Sequence, residues 1–119
     1  AMDPLDMERL TAAGIDVADA LARFMNNESL LLRFLTRFPE DRNYAELVRA
    51  LGDGDAERAF TAAHTLKGVA GNLALRGLYQ TVSELVERLR ASDMEGARLL
   101  LGELESRYEQ VPRALAGMG

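Results

Sequence analysis

Apolar residues recur every three or four positions along nearly the whole chain, and no run of alternating β-branched residues is present. This period is that of amphipathic helices, so the sequence predicts an all-α fold. Gly52-Asp53-Gly54 interrupts the pattern, and Asp16 and Asp55 stand where their side chains can cap the helices that follow. Short connections predict an antiparallel up-down four-helix bundle with a short additional N-terminal helix.

The predicted helices differ in how clearly they end. The short N-terminal helix begins after Asp16, and a longer one begins near Glu28 and reaches Pro39. Proline removes a helical hydrogen bond, but the apolar face keeps its phase beyond Pro39, which favours one kinked helix over two. The next two helices span about 55–74 and 76–91 and have apolar stripes made of Phe60, Ala63, Leu66, Ala70 and Leu73 in the first, and of Leu78, Val82, Leu85 and Leu89 in the second.

The last predicted helix repeats apolar residues from Met94 to Val111. Ser92 and Glu95 have the spacing of a capping box at its start. Pro112 and the glycines after it should fray its end. At the other terminus, residues 1–4 look like a vector remnant, so we assign 1–13 to a tag remnant and extension and 14–116 to a single bundle domain.

Composition excludes several classes of function. The 119 residues carry a net charge of −5 and contain no cysteine, which rules out disulfides, thiolate metal sites and a cysteine nucleophile. The arginines are scattered among more numerous acids, so nucleic-acid binding is not expected. No apolar run is long enough to span a bilayer, and membrane contact is not expected either. We expect a cytoplasmic protein.

The only histidine and the only lysine, His64 and Lys67, lie three residues apart. On a helix they form a stripe with Gly68 and Gly71, about 120° from the apolar stripe, so the stripe should border solvent. Each helical glycine costs about 1 kcal/mol relative to alanine. The glycines therefore either clear the surface beside His64 for a protein partner, or serve tight packing at Gly68 and a helix end at Gly71.

A lone surface histidine is most often unremarkable, but its chemistry here is restricted. His64 has no serine or cysteine to activate and no further ligands for a metal, so neither a metal nor a cofactor is expected. A neutral imidazole can accept a phosphoryl group, and a cation one turn away would stabilise the added charge. Lys67 has that spacing, although an ordinary solvated lysine is the plain alternative.

These residues resemble the H-x-x-K-G signature of histidine-containing phosphotransfer (HPt) domains. The resemblance covers roughly residues 14–111, from Gly14-Ile15-Asp16-Val17 through the Gly-Asp loop and the motif His64-Thr65-Leu66-Lys67-Gly68-Val69-Ala70-Gly71-Asn72-Leu73. It implies a phosphocarrier without autonomous catalysis, with His64 as phosphoacceptor, Lys67 as phosphate support, and Gly68 and Gly71 as clearance for docking. The implied partners are response-regulator receiver domains, which supply Mg²⁺, and a hybrid sensor kinase that could contain the domain; a monomer is expected.

The sequence departs from the family at two places. Ala74 stands where many members have glycine, and Val86 stands where some have a glutamine that binds the imidazole; Gln80 does not match that position. No residue is therefore assigned to orient His64. Residues that flank the site and are candidates for docking, or equally for the core, are Val69, Leu75 and Tyr79.

Two other functions stay open at the sequence level. One is a helical adaptor in which His64 is never phosphorylated. The other is the phosphoacceptor and dimerisation segment of a histidine kinase, in which an acidic residue usually follows the histidine, whereas Thr65 and Leu66 follow here.

Overall fold

The computed structural model describes residues 2–118. Helices are the regular elements of this range, and the one β-type contact in it is an isolated bridge between Ile15 and Leu75. The helices in chain order are α1 Pro4–Ala12, α2 Val17–Arg23, α3 Glu28–Arg37, α4 Arg42–Asp53, α5 Ala56–Asn72, α6 Arg76–Arg90, α7 Met94–Leu99 and α8 Leu101–Ala116. None of the helices in this part of the chain is long and apolar enough to cross a membrane.

Four helical units form the bundle: α3 with α4, then α5, then α6, then α7 with α8. Helix α5 packs between α4 and α6, while α7 and α8 close the bundle against α6 and against the α3–α4 unit. The core lies among these units, and its fully buried side chains include Leu31, Leu35, Leu47, Leu51, Leu66, Leu85 and Leu104. The predicted all-helical bundle is confirmed, and the short helix predicted after Asp16 is α2.

The single kinked helix predicted across Pro39 is wrong, because the chain forms two helices there. A 3₁₀ turn, Phe38–Glu40, follows α3, and Asp41 then adopts an extended backbone with ψ 130°. The Asp41 carboxylate accepts a hydrogen bond from the Asn43 N–H at 2.8 Å. Proline cannot supply the helical N–H, and the aspartate offers a new N-cap two residues later, so a helix start replaces the kink.

The single last helix predicted from Met94 to Val111 is divided at Leu100 into α7 and α8, and it also differs from its prediction at both ends. The N-cap is Asp93, whose carboxylate accepts from the Gly96 N–H at 2.8 Å, so the capping box at Ser92 and Glu95 is wrong. Ser92 instead has φ 59° and ends α6. At the other end, α8 continues through Pro112 to Ala116 rather than fraying, since proline removes only one of its hydrogen bonds.

Residues near the N-terminus, which the predicted bundle did not include, pack on it. The assignment of residues 1–4 to a vector remnant stays a prediction. Asp3 and Asp6 form a reciprocal capping box at the start of α1. Leu10 and Met2 are buried in the core, and α1 packs on α8. The apolar pattern used to predict the helices did not include these buried side chains, so α1 was not predicted. The predicted domain boundary at residue 14 stays a prediction.

The link between α1 and α2 fixes the N-terminal helices beside the end of α5. The Asp16 N–H donates to the Ala74 carbonyl at 2.9 Å, and the Gly77 N–H donates to the Gly14 carbonyl at 3.1 Å. Gly14 has φ 85°, which glycine adopts without strain. Helix α2 therefore lies next to the surface that α5 presents.

Candidate functional site

Helix α5 carries the predicted stripe without interruption. Asp55 caps it by accepting from the Arg58 N–H at 3.1 Å, and the helix then runs through Gly68 and Gly71. It ends after Asn72, where Ala74 has φ 54°. The interpretation of Gly71 as a helix end is therefore wrong, and the left-handed position after the helix belongs to Ala74.

The four residues predicted as a site come together at one open pocket of about 620 Å³. The pocket lies where α5, α6 and α2 meet, with a lining that contains His64, Lys67, Gly68 and Gly71 together with Asp19, Arg23, Ala70, Asn72, Ala74, Leu75, Arg76, Tyr79 and Gln80. The helical stripe inferred from spacing thus faces a concave surface, not the core.

The His64 side chain is exposed, and its imidazole makes no hydrogen bond within residues 2–118. Its near neighbour is Phe60, four residues earlier on the same helix. The two rings lie almost parallel, with their centroids 5.9 Å apart and an interplanar angle of 5°. Phe60 was predicted to belong to the core stripe, but it is only partly buried and lies beside the imidazole.

Lys67 is held over an aromatic ring. Its Nζ lies 5.7 Å from the centroid of Tyr79, within the range of a cation–π interaction. None of the ion pairs formed within the described part of the chain involves Lys67. The ammonium group is therefore available to a negative group that enters the pocket.

The two glycines of the stripe have different surroundings. A Cβ built on Gly68 would meet nothing within 4 Å, so this part of the helix is bare surface. A Cβ on Gly71 would lie 3.4 Å from Cε2 of Tyr79. Gly71 therefore lets the Tyr79 ring lie close to α5, which places that ring beneath Lys67.

Charged residues form the rim of the pocket on the α2 side. Arg76 pairs with Asp16 at 2.9 Å, and Arg23 pairs with Asp19 at 3.2 Å. Each of these arginines already has a carboxylate partner, whereas Lys67 has none within residues 2–118. The lysine is thus the cation of the pocket that an incoming anion can engage without breaking an ion pair.

The remaining candidates near the site separate into exposed and buried residues. Tyr79 and Leu75 both line the pocket, but Tyr79 is 38% exposed whereas Leu75 is only 1% exposed, so of the two Tyr79 is the one that offers surface for docking. Val69 lines a different pocket, with Phe34 and Leu73. Gln80 lines the His64 pocket without a hydrogen bond to the imidazole.

The arrangement supplies a nucleophile and a cation on an open face. Within residues 2–118 no group of three or more metal-ligating side chains gathers. An exposed imidazole with a lysine in the same pocket suits transfer of an anionic group between His64 and a partner that approaches over Gly68. Phe60 is the residue of this site that the sequence analysis missed, and its spacing of four from His64 was the available signal.

Comparison with known families matches the Hpt domain over residues 29–114, which covers α3 to most of α8 and includes the whole α5 stripe. Comparisons with curated proteins and with solved structures find no significant match.

Proposed function

The chain belongs to the Hpt domain family, the histidine phosphotransfer domains of phosphorelay systems, and we propose that His64 is the residue on which it carries the phosphoryl group. One observation supports this assignment most strongly: the sole imidazole of the chain is exposed in the same pocket as the sole lysine. The Hpt family interacts with receiver domains, and the proposed donor and acceptor are the phosphorylated aspartates of two such domains.

The proposed reaction is an in-line displacement at phosphorus. A neutral imidazole nitrogen of His64 attacks the phosphoryl group; the N–P bond forms while the P–O bond to the receiver aspartate breaks, and the aspartate leaves as a carboxylate. Donation to the second receiver is the reverse reaction. Neutral imidazole is a competent nucleophile near neutral pH, so no base on this chain is required.

Lys67 would stabilise the phosphoryl oxygens. A charge-assisted contact of an ammonium with a phosphate is roughly twice as strong as a neutral hydrogen bond. The long stem of the lysine lets the ammonium leave the Tyr79 ring and follow the phosphoryl group as it arrives and departs. Gly68 leaves the helix surface bare for the receiver to approach, and Gly71 contributes by letting Tyr79 lie against the helix.

The partner would provide the rest of the chemistry. In this proposal the receiver domain brings the Mg²⁺ and the catalytic groups, and the chain described here acts as a monomeric phosphocarrier without activity of its own. A place within a larger hybrid kinase is compatible with the same site.

Phosphoryl transfer to the His64→Gln variant tests the assignment. Receiver domains labelled with radioactive phosphate are mixed with the wild type, with His64→Gln, and with Arg49→Gln, which changes an exposed residue on α4 that does not line the pocket. The wild type and Arg49→Gln should take up label that is stable in base and lost in acid, as a phosphoramidate is. Label of that kind on His64→Gln would overturn the assignment of His64 as the phosphoacceptor. No label on the wild type across a panel of receivers would also overturn the assignment, and would favour an adaptor.

A further inference from the structure

The feature that carries a further inference is the stack of Phe60 on His64. Both residues belong to α5, and the rings lie 5.9 Å apart with only 5° between their planes. Offset stacking at such a distance is a favourable aromatic geometry. The contact therefore favours one orientation of the imidazole plane over the others that an exposed histidine samples.

Phe60 is itself held from the neighbouring helix. The guanidinium carbon of Arg90, on α6, lies 5.1 Å from the centroid of the Phe60 ring. The Arg90 Nε donates to Glu87 Oε2 at 3.2 Å, which restricts the guanidinium in turn. Glu87, Arg90 and Phe60 thus form a series of contacts that ends at the imidazole.

No polar group within residues 2–118 orients the His64 ring through a hydrogen bond. The imidazole accepts and donates no hydrogen bond there, and Val86 on α6 is fully buried in the core. The stack is the contact in the structure that bears directly on the orientation of the His64 ring.

We propose that Phe60 is a positioning residue for phosphoryl transfer, which holds the His64 imidazole by stacking while Arg90 holds Phe60. The proposal rests on the assignment of His64 as phosphoacceptor. A ring that is oriented before the receiver arrives loses less rotational freedom in the reaction. Since an aromatic pair is worth about 0.5–1.5 kcal/mol and each 1.36 kcal/mol is tenfold in rate, loss of the stack should slow transfer by about 2- to 13-fold.

The test compares Phe60→Leu, which keeps apolar bulk but removes the ring, with Phe60→Tyr, which keeps the ring. Two quantities are measured: the NMR chemical shifts of the two carbon-bound protons of the His64 ring, which the neighbouring ring current displaces, and the initial rate of transfer from a phosphorylated receiver. Phe60→Leu should lose the ring-current shift and slow transfer by about 2- to 13-fold, and Phe60→Tyr should keep both the shift and the wild-type rate.

Two further variants separate positioning from loss of stability. Phe34→Leu makes the same substitution at another partly exposed phenylalanine, on α3, and should leave the His64 shifts unchanged. Arg90→Gln removes no apolar side chain and should move the His64 shifts part of the way towards those of Phe60→Leu. Arg90→Gln therefore probes the stack even if Phe60→Leu does not fold.

Three results would overturn the proposal: unchanged His64 shifts in both Phe60→Leu and Arg90→Gln, changed shifts with an unchanged transfer rate, or a Phe60→Tyr variant as slow as Phe60→Leu. The NMR measurement needs no phosphorylation. Failure of the stack is therefore distinguishable from failure of His64 as the phosphoacceptor, which the His64→Gln variant tests.

Discussion

The spacing of side chains along α5 predicts much of the candidate site. His64, Lys67, Gly68 and Gly71 were grouped from helical geometry, and the structure places all of them at one pocket. Phe60 was assigned to the core because it continues an apolar rhythm. At about 100° per residue it lies only about 40° from His64, so the same arithmetic, applied to apolar as well as polar residues, would have placed it beside the imidazole.

The contacts of Tyr79 could not be inferred from spacing. They depend on how α6 packs against α5 and on the room that Gly71 leaves for the ring. Such contacts between helices come from tertiary packing, which a helical period within one segment does not specify.

Gly68 gives a prediction at the scale of one residue. Because a Cβ there meets nothing within 4 Å, Gly68→Ala should gain helix propensity and raise the free energy of unfolding by about 1 kcal/mol. The added methyl group would nevertheless obstruct a receiver, so transfer to His64 should slow. Urea unfolding and transfer kinetics measure the two effects.

The matched control is Gly102→Ala on α8, where a Cβ also meets nothing within 4 Å and the pocket is not involved. This variant should be no less stable than the wild type and should transfer at the wild-type rate. A Gly68→Ala variant that transfers as fast as Gly102→Ala would refute the role of Gly68 as docking clearance.

At the scale of helices, the sequence pattern predicts which segments are helical more accurately than it predicts the residues at which the helices begin and end. The break at Gly52-Asp53-Gly54 and the caps at Asp16 and Asp55 are confirmed. The start of α4 after Pro39 was not predicted because Asp41 was not recognised as an N-cap, and the cap of α7 was misassigned because the neighbouring Ser92 and Asp93 compete for it. The competition is decided by backbone dihedrals such as the φ of 59° at Ser92, which composition does not reveal.

The end of α6 provides a second prediction. Ser92 is exposed with a left-handed φ of 59°, and its N–H and that of Asp93 donate to the carbonyls of Leu89 and Arg88. Glycine adopts this conformation at a helix end without the steric cost of a Cβ. Ser92→Gly should therefore raise the free energy of unfolding by about 1 kcal/mol, as measured by urea unfolding. Ala91→Gly, at φ −83°, should give no gain, and equal effects of the two changes would contradict this explanation.

The contact between α8 and the turn after α3 leads to a prediction about alkaline pH. Tyr108 stacks on Tyr44 with centroids 4.1 Å apart, and its hydroxyl donates to the Pro39 carbonyl at 3.1 Å. Burial, followed by nearby negative charge, raises the pKa of both phenols above the ordinary value of about 10. The folded protein then binds more protons than the unfolded chain above this pH, so the free energy of unfolding should fall as the pH rises past about 10.

Tyr108→Phe separates the two contributions of this phenol. The free energy of unfolding of the variant should be about 1 kcal/mol below that of the wild type at neutral pH, because the hydrogen bond to Pro39 is gone. As the pH becomes alkaline, the free energy of unfolding should fall less in the variant than in the wild type, because one titrating phenol is absent. Urea unfolding between about pH 8 and pH 11 gives both values. Tyr79→Phe, at an exposed ring, should stay within about 0.5 kcal/mol of the wild type at neutral pH. An unchanged alkaline slope in Tyr108→Phe would contradict the assignment.

At the scale of the whole molecule, the four-helix bundle was predictable because each long helix has one continuous apolar face. The packing of α1 was not predictable in this way, because residues 1–13 were placed outside the bundle domain and the partner of α1, helix α8, is distant in sequence. Long-range packing of this kind is absent from local periodicity.

The N-terminal helix gives the fourth prediction. Leu10 is fully buried against the bundle, whereas Leu5 on the same helix is 54% exposed. Leu10→Ala should lower the free energy of unfolding by about 2–5 kcal/mol because it leaves a cavity, and Leu5→Ala should change it by less than about 0.5 kcal/mol. Thermal or urea unfolding of both variants measures these changes. A change in Leu10→Ala as small as that in Leu5→Ala would show that α1 does not contribute to the core.

The central claim is that His64 carries a phosphoryl group between two receiver domains, and a two-step transfer tests it most directly. The chain is labelled from one phosphorylated receiver, separated from it, and mixed with a second, unlabelled receiver. The account predicts that the label leaves the chain and appears on the second receiver, and that His64→Gln delivers none. Label that never enters the wild-type chain, or that is delivered equally by His64→Gln, would contradict it.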